Sequence, residues 1–195
     1  IFYFINLFII FIIDIFFNNF NLLSSFGLSN EVNSILTLFV IFSLLLVGII
    51  DDKISLNPIT KTFLSLIIFF IFLSVRPEYR LISLSFETFN FTLDLFELSL
   101  VFTILCFMIF QIIFNLYDGI NLQSALYYSI ILIHLMIINQ KHNFFIICIL
   151  MLIYLVYFSI NNYKSKIFLG DNGVYVFSFI LSLLIIRTYQ SADTN

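Results

Sequence analysis

The sequence predicts an all-α polytopic membrane protein, with about seven transmembrane helices and one small β-hairpin. Three observations carry that prediction. Of the 195 residues, 62% are hydrophobic and 10% charged, with mean hydropathy +1.15, a balance that a water-soluble domain of this length does not sustain. The apolar residues fall in runs that reach or approach the ~20 residues needed to cross a hydrocarbon core of about 30 Å. Inside lipid every backbone polar group must be paired within its own segment, so these runs are helices rather than open strands. One stretch, 82–95, alternates apolar and polar residues instead, which is the period of a strand.

Taken in order, the expected spans are 1–23, 35–50, 62–75, 99–115, 122–139, 144–160 and 174–187. The first lacks the basic start and small-residue cleavage site of a signal peptide, so it reads as a spanning helix. It carries Asp14 in mid-span with no visible partner, and Asn6 and Asn18 suggest a helix that faces protein. A Ser/Asn-rich loop leads to the second span, which ends in Asp51-Asp52. The third and seventh are short and are expected to extend into flanking residues. Between the third and fourth, Ile82, Leu84 and Phe86 alternate with serines, and Phe89, Phe91, Leu93 and Leu95 alternate with polar residues. An isolated two-stranded hairpin is marginal, so this one is expected to lean on the helices or the membrane surface. No linker or internal repeat divides the chain, and residues 1–195 read as a single integral-membrane domain. The start at Ile1 without Met raises the expectation of an internal piece of a longer protein.

Composition excludes several functions. No basic stripe exists, which argues against nucleic-acid binding. Cys106 and Cys148 lie inside apolar spans and read as small buried hydrophobes. His134 and His142 lack metal-ligand spacing and read as structural.

The acids point elsewhere. Asp51-Asp52, Asn115-Leu116-Tyr117-Asp118-Gly119-Ile120-Asn121 and Gly170-Asp171-Asn172-Gly173 each stand at the end of an apolar run. An even number of crossings separates one cluster from the next, so all three belong to the same membrane face. Each has a plain reading of its own. Acids leave helices into solvent cheaply, Asp-Gly makes turns, and Asp is a favoured N-cap. Yet adjacent acids at a helix C-terminus oppose the macrodipole, a conflict that a bound Mg²⁺ removes. Asn115, Asp118 and Asn121 fall at i, i+3 and i+6, near one helical face. A helix N-terminus at Asp171 offers N–H groups to phosphate, and Lys61 is either an interfacial anchor or a contact to the same phosphates.

In this order the three motifs resemble those of the polyprenyl-phosphate N-acetylhexosamine-1-phosphate transferases. That family includes the phospho-N-acetylmuramoyl-pentapeptide and undecaprenyl-phosphate N-acetylglucosamine-1-phosphate transferases. The resemblance runs from the second span to the seventh. It implies that the phosphate of a polyprenyl carrier, undecaprenyl phosphate, attacks the sugar-linked phosphate of a UDP-sugar. UMP leaves, and Mg²⁺ is the cofactor. Asp51, Asp52 and Asp171 match the family's catalytic acids, with Asp171 and Asp52 as metal ligands. Asn115, Asp118 and Asn121 match residues lining the nucleotide-sugar site. Asn161 matches a site asparagine, Phe168 an aromatic that packs on uracil, and Lys61 a basic residue of the first motif's loop. The resemblance places the motifs in the cytoplasm and so the hairpin, expected on the opposite face, outside it (extracytoplasmic), an orientation that charge alone leaves tied. Lys53, Lys61, Lys164 and Lys166 share the motif face, against Arg76, Arg80, Lys141 and Arg187 opposite. It admits a homodimer among the partners, and it implies further N- and C-terminal helices.

The chain also departs from the family. Asn121-Leu122 stands where members often have Asp-Gly, and Val174 replaces the usual Ser after Gly-Asp-x-Gly. The loops expected before the first span and after the last lie outside residues 1–195. Three alternatives stay open at this point: phospho-N-acetylmuramoyl-pentapeptide transfer for peptidoglycan, a degenerate homologue that only binds carrier lipid, and an ion-coupled transporter.

Overall fold

The computed structural model describes residues 31–86, 89–120, 122–139, 142–164 and 167–192. Among them six α-helices follow in order: α1 (Glu31–Ile54), α2 (Pro58–Val75), α3 (Ser99–Tyr117), α4 (Gln123–Ile138), α5 (His142–Tyr163) and α6 (Gly170–Ala192). Strands β1 (Ser83–Phe86) and β2 (Phe91–Asp94) lie between α2 and α3.

Five stretches are long and apolar enough to cross a membrane: Ile35–Ile54, Pro58–Val75, Phe96–Tyr117, Phe145–Tyr163 and Gly170–Ser191. The expected count of seven is thus not confirmed: with 122–139 giving a shorter apolar helix, five are found among the described residues. The first expected span and Asp14 lie outside them. The run 122–139 does form a helix, but α4 has only 16 residues, about 24 Å at 1.5 Å per residue. It starts late because Leu122 stands in a left-handed turn, φ 65°, and it stops at the extended Asn139. The short spans extend as expected. Asn57 caps α2 by accepting from Ile59 N at 3.2 Å, with Pro58 in the first turn.

α6 is the axis of the bundle. The apolar window of α6 is 83% buried, against 22–33% in the other candidate spans. Those others turn most of their apolar surface outward, as helices solvated by lipid do. Two aromatic groups tie the ring of helices to α6. Phe179 packs on Phe72 at 5.2 Å, Phe107 at 6.0 Å and Phe69 at 6.1 Å, joining α2 and α3. Phe177 packs on Tyr128 at 5.2 Å and Tyr154 at 5.3 Å, joining α4 and α5. Ser and Thr hydroxyls of α6 bond within the helix, Ser182 donating to Ser178 O and Thr188 to Leu184 O.

The hairpin forms as the alternation predicts, with Ser83 opposite Asp94 and Phe86 opposite Phe91. It leans on the far end of α6. The Tyr189 hydroxyl accepts from Ser85 N at 2.7 Å and donates to Ser83 O at 3.2 Å. From Asp171 to Tyr189 the helix rises about 27 Å, so hairpin and acidic motifs occupy opposite ends of the bundle.

Candidate active site

The site begins where α1 and α6 touch. A Cβ on Gly48 would lie 2.2 Å from Asn172 Cα, so only glycine permits this approach of the two backbones. One turn beyond Gly48, Asp52 faces the start of α6. Its Oδ2 accepts from Asn172 Nδ2 at 3.1 Å. A Cβ on Gly170, whose φ is +69°, would lie 4.0 Å from both Asp52 oxygens. Residues 120 positions apart are thus brought within hydrogen-bond range.

Lys61, in the first turns of α2, completes the cluster. Its ammonium donates to Asp51 Oδ2 at 3.0 Å and to Asp171 Oδ2 at 2.5 Å. The second Asp51 oxygen accepts from Leu56 N at 2.8 Å, which fixes the carboxylate in the turn between α1 and α2. All three side chains remain partly open, at 10–20% exposure. Tyr175, one turn along α6 from Asp171, is 2% exposed and interacts with Asp171 and Lys61.

Asp118 is engaged differently. It is 8% exposed, and its oxygens accept from Gly170 N at 2.8 Å, Leu169 N at 3.3 Å and Ser124 Oγ at 3.2 Å. It pins the end of α3 to the backbone entering α6, so it positions Asp171. Asn162 does the same from α5. At 1% exposure, it donates Nδ2 to Ile167 O at 2.8 Å and accepts on Oδ1 from Leu122 N.

The remaining sequence candidates take various places. Asn115 is half-buried at the end of α3. Asn161 donates to Tyr157 O, within its own helix, at 3.0 Å. Phe168 is 50% exposed just ahead of α6. Asn121 lies outside the described residues. Sequence reasoning missed Asn162, Asn172 and Tyr175. For Asn162 a signal existed, because the buried stripe Cys148, Met151, Leu155 and Phe158 continues at position 162 and not at 161.

Among the described residues no group of three or more His, Cys, Asp or Glu side chains could hold a metal ion. Mg²⁺ does not require such a cage, since one or two carboxylates with waters and substrate phosphates suffice. Asp51 and Asp171 already direct one oxygen each at a single cation, the Lys61 ammonium. The donor set therefore fits an open site that substrate completes.

The profile of Glycosyl transferase family 4 matches residues 34–189. The chain belongs to that family. No curated protein and no solved structure gives a significant match. At the family level, a family 4 protein is a membrane transferase that moves a sugar phosphate onto a polyprenyl phosphate. In this family 4 chain the matched region covers all three acidic motifs and the six described helices, apart from the first turn of α1 and the last residues of α6.

Proposed function

We propose that the chain transfers N-acetylhexosamine-1-phosphate from a UDP-sugar to a membrane polyprenyl phosphate, undecaprenyl phosphate, for cell-wall or surface-polysaccharide synthesis. An oxygen of the carrier phosphate attacks the sugar-linked phosphorus. The bond from that phosphorus to the UMP oxygen breaks, UMP leaves with the electron pair, and a lipid-linked pyrophosphoryl sugar forms. The reaction takes place at the cytoplasmic face of the cytoplasmic membrane.

The obstacle is charge rather than nucleophilicity. A phosphate monoester with a second pKa of about 6 is largely dianionic near neutral pH and needs little help from a base. Two phosphates must instead be brought together against their repulsion, a task for positive charge and positioning. Asp171 with the Asp51-Asp52 pair would hold Mg²⁺, which supplies charge neutralisation between the phosphates. Lys61 contributes a further cation, and first-turn N–H groups of α6 beyond Gly170, whose own N–H is taken by Asp118, would add to it. Phe168 orients the uracil, and Asn115, Asn121 and Asn161 lie on the segments that would border the nucleotide sugar. The outward apolar surfaces of α1, α2 and α3 keep the reaction at the lipid boundary, where the carrier tail stays dissolved.

The observation that carries this reading is the convergence of Asp51 and Asp171, from opposite ends of the described chain, on one cation beside Asp52. The test is UMP release from UDP-N-acetylglucosamine, with undecaprenyl phosphate and Mg²⁺ supplied. Asp171→Asn should lower the rate about a hundredfold or more, with thermal unfolding in detergent nearly unchanged. UMP release that persists in Asp171→Asn, or that ignores the carrier lipid, would sink the proposal.

A further inference from the structure

Lys61 does more than neighbour the acids: it occupies the oxygens that a divalent cation would need. Its ammonium lies 2.5 Å from Asp171 Oδ2 and 3.0 Å from Asp51 Oδ2. An ammonium and a divalent cation repel, so each weakens the hold of the other on Asp171 Oδ2. The surroundings are arranged for the lysine head to leave while everything else stays. The first turn of α2 is fixed by the Asn57 cap, with Thr60 N and Lys61 N both donating to Asn57 O. Asp51 keeps its Leu56 N–H bond without Lys61. Asp171 sits in a helix turn whose entry is pinned by Asp118. Only the four-carbon lysine stem, a flexible carrier of a point charge, has to move.

We infer that Lys61 and the divalent cation exchange at the Asp51–Asp171 pair, and that the released ammonium becomes the ligand of substrate phosphate. This rests on the reading of the site as a metal-assisted phosphotransfer centre. Charge supports the exchange. Asp51 and Asp171 hold one lysine and Asp52 stands next to them on Asn172, so the three acids and Lys61 carry a net charge of −2, which one divalent cation neutralises. Release then leaves a free positive charge beside that cation, where two anionic phosphates must meet. The exchange sets an order, with the metal binding before phosphate is gripped, and it makes Lys61 a competitor of the metal it works with.

The experiment measures acetylation of lysine amines by an N-hydroxysuccinimide ester, read by mass spectrometry on the wild-type protein in detergent, with and without Mg²⁺. Mg²⁺ alone should speed acetylation of Lys61 at least about threefold and leave Lys53, an exposed lysine in the last turn of α1, unchanged. In parallel, Mn²⁺ affinity is measured by electron paramagnetic resonance. Lys61→Met should bind Mn²⁺ about tenfold more tightly than wild type, while Lys53→Met should gain less than about twofold because it removes only a distant charge. Wild-type Mn²⁺ binding with Lys61 acetylation indifferent to Mg²⁺ overturns the exchange and leaves the metal-assisted reading standing. Equal Mn²⁺ affinities in the two lysine variants do the same. Absence of Mn²⁺ binding in wild type and Lys61→Met alike overturns both.

Discussion

At the scale of single residues, the two positions just before α6 differ in exposure. Phe168 is half exposed beside the acids, whereas its neighbour Leu169 is buried. A ring left half exposed in the turn before Asp171 is suited to stacking on a base, an interaction worth about 1–3 kcal/mol in other proteins. Phe168→Ala should therefore raise the KM for the UDP-sugar about tenfold, since 1.4 kcal/mol is tenfold. The KM for the polyprenyl phosphate should hardly change. Equal weakening of both substrates would mean that the ring supports the loop and reads no base. The acids themselves were legible in the sequence because charge at the ends of apolar runs is conspicuous. Their division of labour was not. Asp118 looks no different from Asp171 in sequence, yet it spends its oxygens on backbone N–H groups, while Asp171 presents an oxygen to a cation. Which donors surround a carboxylate is a tertiary property.

At the scale of elements, hydrophobic run length located the helices well, because the bilayer imposes one length on every crossing. At α4 it placed the helix to within a residue but did not foretell what bounds it, since the start at Leu122 depends on a left-handed turn whose N–H donates to the Asn162 side chain. Period-2 alternation found the hairpin, because Ser83 and Ser85 alternate with Leu84 and Phe86 whatever the hairpin rests against. The contact between α1 and α6 was hidden, since a glycine in an apolar run reads as filler. Two motif glycines now make opposite predictions. In Gly48→Ala the new methyl would meet Asn172 Cα at 2.2 Å, backbone that cannot step aside. Forcing the helices apart should cost about 1–3 kcal/mol and should break the Asp52–Asn172 contact, lowering both the unfolding temperature and UMP release. In Gly119→Ala the nearest atom is Leu116 O at 3.9 Å, and neither quantity should change appreciably. Similar losses in both variants would remove close α1–α6 packing as the reason for Gly48.

At the scale of the whole molecule, the parity of crossings brings the acids together, and α4 strains that parity. Its helical length of about 24 Å falls short of a hydrocarbon core of about 30 Å. A helix that short can still cross if the bilayer thins locally or if flanking residues enter the core, at a modest cost per ångström of mismatch. Packing favours the crossing. Tyr128, near the start of α4, stacks on Phe114 at 4.0 Å close to the acidic end, while Ile138 ends the helix alongside the C-terminal part of α6 that holds the hairpin. Single cysteines introduced after replacing Cys106 and Cys148 test this with a membrane-impermeant maleimide on oriented vesicles. Ser55→Cys and Lys164→Cys, at the acidic end, should label from one side only. Asn90→Cys and Ile138→Cys should label only from the other, Ile138 being exposed at the end of α4. If Ile138→Cys labels together with Ser55→Cys, then α4 and α5 form a hairpin that dips into the bilayer without crossing. Asp118 and Asp171 would still share a face in that case, because the crossings between them would fall from two to zero and both counts are even.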